Sequence, residues 1–226
     1  MAVQEVDGIA AAERIFAPAI YSFHFAVGGG AQEVGFAYRK ALQNQGFTVK
    51  PLPDYDALTL GGSLRPGALL EISAADKTVT LMNIHLKARC PDNNVPLFES
   101  DKRDCQRLAA QVPLLEDWID EQASQDKPII VLGDFNRRFE APDRFWPEID
   151  DGVPANADLS RVTEDREGKC WPERRLRTFI DHIVYDQLTS QMILADSVWQ
   201  HRFLTEHQTY EDVLSDHCPL SVDVQF

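Results

Sequence analysis

The stretch Ile129-Ile130-Val131-Leu132-Gly133-Asp134-Phe135-Asn136 decides how the rest of the chain is read. Four apolar residues in a row after Pro128 have the pattern of a short strand buried on both faces, at the centre of a sheet. The strand ends by delivering a carboxylate and a carboxamide, two positions apart, to a loop where both can point into one cleft. Gly133 permits close backbone approach at that end, and Phe135 can turn into the core and fix its neighbours. Alone, the tetrapeptide has a second reading, because Asp and Asn are common turn formers after strands.

The segments on either side alternate between strand and helix patterns. Cys105, Leu108, Val112, Leu115 and Ile119 recur at steps of three and four, so a long helix is expected over 98–123, kinked at Pro113. Residues 68–72 and 78–86 read as strands joined by a turn at Ala74-Ala75-Asp76-Lys77. Residues 21–26 and 34–39 read as strands around Gly28-Gly29-Gly30, and Asp7 is the expected N-cap of a helix ending before Pro18. Beyond Asn136 comes a loop-rich stretch with Trp146 and Trp171, then strands at 178–185, 192–199 and 219–224. Without repeats or a Pro/Ser-rich linker, one domain over 1–226 is expected.

The chain has 226 residues, 44% of them hydrophobic and 26% charged, as in an ordinary globular protein. No apolar run approaches the roughly 20 residues of a spanning helix, and the first residues do not have the pattern of an export signal. The net charge of −14 works against sequence-independent binding of polyanions. Positive charges nonetheless gather beside the polar motifs: Lys87 and Arg89, Arg137 and Arg138, then Arg174, Arg175 and Arg177. These would line a phosphate-binding rim, or simply favour exposed loops. The four cysteines lack zinc-site spacing. Cys90 and Cys105 are candidates for a disulfide, which would place the chain in an oxidising compartment outside the cytoplasm; otherwise Cys105 is a core residue and the chain cytoplasmic.

Several polar residues stand at strand ends, where open sheets collect functional groups. In Leu81-Met82-Asn83-Ile84-His85-Leu86, alternation puts Leu81, Asn83 and His85 on one face and Met82, Ile84 and Leu86 on the other. Asp181-His182 places a carboxylate in an apolar strand, where it needs a partner, and His217 of Ser215-Asp216-His217 is the expected one. Gln4-Glu5 puts an acid at another strand end; a glutamate so near a helix start also suits the helix dipole.

Together, Gln4-Glu5, Asn83-x-His85-Leu86, Gly133-Asp134-Phe135-Asn136, Asp181-His182 and Ser215-Asp216-His217, in this order, resemble the endonuclease/exonuclease/phosphatase superfamily of DNase I-like nucleases, abasic-site endonucleases, sphingomyelinases and inositol-polyphosphate 5-phosphatases. The resemblance spans nearly the whole chain. It implies an α/β four-layer sandwich, two mostly antiparallel sheets packed face to face with helices outside. It also implies Glu5 as the main metal ligand with Asp216 near the metal or water, and Asp134 orienting or activating the attacking water. Asn136 would hold a phosphate oxygen, Asp181 would orient His217, and His217 would contact the phosphate or act as base. His85 would support the scissile phosphate or leaving group, with Gln32 bonded to it. Oxygen-rich ligands suit Mg²⁺ or Mn²⁺.

Superfamily members usually begin with a strand ending in Trp-Asn, ahead of Gln-Glu, whereas this chain starts at Met1-Ala2-Val3-Gln4-Glu5. The expected consequences are a sheet without its usual first strand and helix, weakened metal binding, and open strand edges that a second copy could cover as a homodimer. The expected activity is metal-dependent hydrolysis of a phosphodiester, most readily in DNA or RNA. A phosphomonoesterase, a lipid or inositol phosphoesterase, or a non-catalytic binding module on the same core are the alternatives, with residues 87–97 and 141–177 carrying the choice of substrate.

Overall fold

A computed structural model describes residues 1–28, 30–90, 96–139 and 143–226; Gly29 of the glycine turn and parts of both substrate-choosing segments lie outside them. The strands are β1 (Ala2–Val6), β2 (Tyr21–Phe25), β3 (Glu33–Arg39), β4 (Phe47–Pro51), β5 (Ala68–Ala74), β6 (Lys77–His85), β7 (Ile129–Asp134), β8 (Leu159–Arg161), β9 (Asp181–Asp186), β10 (Ile193–Gln200) and β11 (Leu220–Val224). The helices are α1 (Gly8–Ala12), α2 (Arg103–Ser124), α3 (Phe145–Ile149) and α4 (Gln187–Ser190).

Six strands form the principal sheet, in the order β4-β5-β6-β7-β9-β8, antiparallel except for the β6–β7 pair. The expected central strand is β7, between β6 and β9. The alternation in β6 holds as well: Met82, Ile84 and Leu86 join the core under α2, while Leu81 faces the other way. On that second face lie two smaller sheets, β1-β3-β2 and β10-β11. Leu81 and Leu132 touch the apolar clusters of both, so the smaller sheets share one layer over the principal sheet. The result is the expected two-sheet sandwich with helices outside, its second sheet divided into three strands and two.

Helix α2 starts at Arg103; the expected first turn from Phe98 is instead part of a 3-10 turn, Leu97–Glu99. Its apolar stripe is buried, with Leu108, Val112 and Leu115 at 0% exposure. Each such side chain contributes roughly 1.5–3 kcal/mol relative to exposure. Flanking that stripe, α2 carries Glu116 and Asp120, both half-buried. Burial, and then the charges of Asp120 and Asp151, push the Glu116 carboxyl up to about 8. Folding therefore favours the protonated form, and stability falls as pH rises from the ordinary carboxyl range through 8. Glu116→Gln is expected to melt at higher temperature than the wild type at pH 8.5, with the difference vanishing near pH 4; equal melting curves at both pH values would refute this.

Helix α1 is shorter than expected. Asp7 makes no side-chain cap, and beyond Ala12 the chain tightens into turns that bond Ile15 and Phe16 back to the Ala12 carbonyl before Pro18. Cys90 and Cys105 are bonded, with Cα atoms 4.7 Å apart, and Cys105 is also 2% exposed, so it is both bridge and core. A second pair, Cys170 and Cys218, lies at bonding distance with Cα atoms 5.3 Å apart. Closing the loop between Cys90 and Cys105, 15 positions apart, is worth about 3 kcal/mol in chain entropy. Dithiothreitol is thus expected to lower the urea midpoint clearly, and a midpoint indifferent to reductant would count against the bridges.

Candidate active site

Register brings the strand ends into line. His85, the last residue of β6, pairs with Asp134, the last of β7, and Asp134 pairs with Asp181, the first of β9. Neighbouring strands are about 4.8 Å apart, so three candidate site residues stand in a row at one edge of the principal sheet. Gly133, at φ 128°, is required there: a Cβ would collide with the Ile84 carbonyl on the parallel neighbour.

Glu5 reaches this row from the other sheet. Val3 and Val6 pair with Gly35 and Glu33, three steps along β1 against two along β3, which is a β-bulge at Gln4-Glu5. Glu5 sits in the left-handed region, φ 58°, at a cost of about 1–2 kcal/mol. The bulge turns Gln4 and Glu5 toward the principal sheet together. The Gln4 amide donates to Asn83 Oδ1, while Glu5 Oε1 lies 3.8 Å from His85 Nε2. Asn83, wholly buried, donates in turn to the carbonyls of Val3 (3.0 Å) and Gly35 (2.7 Å).

Asp134 is 6% exposed. Its Oδ1 accepts from the Asn136 backbone N–H at 2.7 Å and its Oδ2 from the Asn136 side-chain amide at 3.0 Å, and that amide also donates to Leu86 O. Burial, then the charge of Asp181, raises the Asp134 carboxyl to about 7, against the opposing pull of His217 and the Asn136 N–H. His217 finds the partner expected for it: its Nδ1 lies 3.0 and 2.9 Å from the two Asp181 oxygens. This bond to Asp181 raises His217 to about 9, leaving it an imidazolium at neutral pH, with Nε2 facing Asp134 Oδ2 at 4.0 Å. His85 is the opposite case. Burial, then the positive charges of Arg65 and His217, lowers it to about 3, so it is neutral. Asp216 stands apart from the row, 89% exposed at the mouth, its Oδ1 4.0 Å from His217 Nε2.

The expected basic rim is largely engaged within the protein. Lys87 pairs with Asp104 at 2.9 Å, Arg137 with Asp143 and Arg174 with Glu211, and Arg138 donates to the Thr178 carbonyl. Of the seven residues, Arg89, Arg175 and Arg177 are exposed, and among the described residues their side chains make no such bonds. Gln32 does not bond His85; it holds Arg65, whose Nε donates to Gln32 O at 2.7 Å and whose Nη2 donates to Gln32 Oε1. Gln32 directly precedes Glu33, the partner of Val6, so Arg65 is fixed beside the Glu5 strand end. Glu5 and Asp134 stabilise its charge against burial. Arg65 was not expected from the sequence, since a lone Arg in a loop carries no signal there. His182 is structural: Thr163 Oγ1 lies 2.6 Å from its Nδ1 and Arg137 O 3.1 Å from its Nε2, and Phe139 stacks on its ring at 4.0 Å.

A family model described as "Endonuclease/Exonuclease/phosphatase family" matches residues 1–217. The chain belongs to the endonuclease/exonuclease/phosphatase family. No curated protein matches it. Similar folds include the mannosyl-6-phosphatase of Bacteroides thetaiotaomicron, 14% identical, covering 100% of this chain and 84% of that one at TM-score 0.57. The human Nocturnin catalytic domain with bound sulfate is 16% identical, covering 98% and 80% at TM-score 0.56. D. rerio TDP2 with a single-strand DNA product is 20% identical, covering 82% and 69% at TM-score 0.53. At these identities the likeness concerns the fold. The family supports a phosphoester hydrolase, and the site fits a divalent ion. Donor atoms of Asp134, Asp181 and His217 lie within 4.8 Å of one another. Within that group His217 is cationic and already bonded to Asp181, which weakens both as ligands. Carboxylate oxygens are hard donors that suit a divalent cation.

Proposed function

We propose that this chain is a divalent-metal-dependent phosphodiesterase acting on nucleic acid, with Mg²⁺ or Mn²⁺ held by Glu5 and Asp216. The observation that carries this reading is the row His85, Asp134, Asp181, aligned by strand register and faced by Glu5 and His217. The ion, when bound, neutralises developing charge on the phosphoryl group. Asp134 orients the attacking water and accepts its proton. The water oxygen bonds phosphorus and the ester P–O bond opposite breaks; the water proton passes through Asp134 to solvent, and the leaving oxygen takes a proton from solvent as the alcohol forms. His217, a cation oriented by Asp181, contacts a phosphate oxygen. Asn136 reaches the phosphate by exchanging its bond to Asp134 while Leu86 keeps it aimed. Neutral His85 supports the leaving group.

Arg65 supplies a fixed charge on the Glu5 side of the cleft. Gln32 takes two of its N–H groups and holds the guanidinium still, which lowers the entropy lost on binding a phosphate. Arg65→Met is expected to raise KM for bis-p-nitrophenyl phosphate about tenfold with unchanged Mn²⁺ affinity; an unchanged KM would remove Arg65 from the site.

The functional test is incubation with plasmid DNA, single-stranded DNA, RNA, bis-p-nitrophenyl phosphate and p-nitrophenyl phosphate, with Mg²⁺, Mn²⁺ or EDTA. EDTA-sensitive cleavage of the diesters is expected. Turnover of p-nitrophenyl phosphate alone would point to a phosphomonoesterase, and no turnover of any of them to a binding module. The two cysteine pairs favour an oxidising compartment outside the cytoplasm. The terminal strands β1 and β11 leave edges that suit pairing with a second copy; light scattering should then give twice 25.5 kDa, and the monomer mass would exclude the dimer.

A further inference from the structure

We propose that Gln4 and Asn83 form a latch that aims Glu5 at the metal, making both of them positioning residues for that ligand. The inference rests on Glu5 being a metal ligand. Asn83 occupies the inner face of β6 between apolar neighbours and is wholly buried, a place where Leu81 and Leu132 already supply adhesion between the layers. An amide there must satisfy every polar atom. Asn83 does so only through β1 and β3: Oδ1 accepts from Gln4, and Nδ2 donates to Val3 O at 3.0 Å and Gly35 O at 2.7 Å. Val3 and Gly35 are the ladder pair at which the bulge begins. The three bonds therefore grip both strands and the first bulged side chain immediately before Glu5.

Glu5 itself has little else to hold it. Its side chain is 58% exposed, its backbone is in the left-handed region, and its carboxylate lies 3.8 Å from Nε2 of the neutral His85. Without the latch the bulge can relax to ordinary alternation, which would turn the carboxylate at position 5 away from the principal sheet. Hydrogen bonds behind a ligand commonly govern metal affinity by 10–100-fold. An apolar residue would serve if adhesion were the only task, whereas three directed bonds set the path of one strand.

The test is Mn²⁺ titration of the full chain by calorimetry, alongside steady-state rates on bis-p-nitrophenyl phosphate. Gln4→Met keeps the length of the side chain and removes its donor. It is expected to weaken Mn²⁺ binding about tenfold, with the metal-free melting temperature within a few degrees of wild type and KM unchanged. Its kcat should recover at high Mn²⁺, because Glu5 is intact. Glu5→Gln should weaken binding without such recovery. Asn83→Leu, which removes all three bonds at similar size and suits the apolar surroundings, should behave as Gln4→Met and serves if the latter does not fold. Wild-type Mn²⁺ affinity in a folded Gln4→Met or Asn83→Leu protein overturns the latch alone. Wild-type affinity in Glu5→Gln overturns the metal assignment beneath it.

Discussion

Asp134→Asn is expected to remove metal-dependent hydrolysis while making the metal-free protein harder to melt at alkaline pH. The loss of activity follows from the position of Asp134 at the centre of the aligned row, with His85, Asp181 and His217 all facing it. A positioned base or water-orienting group is typically worth about 10² to 10⁴ in rate. The gain in stability follows from the same burial. A carboxyl raised to about 7 in the folded state binds its proton more tightly than in the unfolded chain. The metal-free protein thus loses stability as pH rises from the ordinary carboxyl range through 7. An amide of the same size escapes that loss and still accepts the Asn136 backbone N–H. For a chain of this size each kcal/mol moves the midpoint by roughly 2–4 °C. Calorimetry in EDTA should show a higher midpoint for Asp134→Asn at pH 8 and convergence near pH 4. A lower midpoint at pH 8 would mean that the attraction to His217 outweighs burial.

Asp181→Asn is expected to shift the alkaline limb of the pH–rate profile. His217 is raised to about 9, chiefly by its bond to Asp181. The stability it lends is complete below its ordinary value near 6.5 and is lost as pH rises through 9. If the imidazolium is the working form, the rate falls as His217 deprotonates. Neutralising Asp181 removes the main cause of the shift, so the limb should move down by roughly two pH units and the variant should be slow at pH 8. His217→Ala should lack the limb altogether. A base role for His217 gives the opposite sign: the wild-type rate would climb toward pH 9, and Asp181→Asn would bring that rise to lower pH.

Much of this arrangement was legible in the chain because strand period and burial are local. The run from Ile129 to Leu132 announced a central strand, and β6 showed its two faces through simple alternation. The partnership of Asp181 with His217 was accessible because a carboxylate in an apolar strand has few ways to be satisfied. Register was not accessible. Nothing local says that His85, Asp134 and Asp181 end level with one another, since that depends on pairing between segments some 50 residues apart. The bulge at Gln4-Glu5 was hidden for the same reason, being a mismatch of two strands. The basic clusters misled because their pairing with Asp104, Asp143 and Glu211 is tertiary. Arg65 was missed because its placement comes from Gln32, 33 positions away. The strands β4 and β8 went unread as well: β4 ends in Pro51 and alternates weakly, and β8 is three residues long.

The most direct test is the metal dependence of bis-p-nitrophenyl phosphate hydrolysis by the wild type and Asp134→Asn, side by side. Saturable activation by Mg²⁺ or Mn²⁺ is expected for the wild type, with loss of turnover in EDTA and no activation of the variant. Turnover that survives EDTA and is equal in the two proteins would contradict a metal-dependent site built on Asp134.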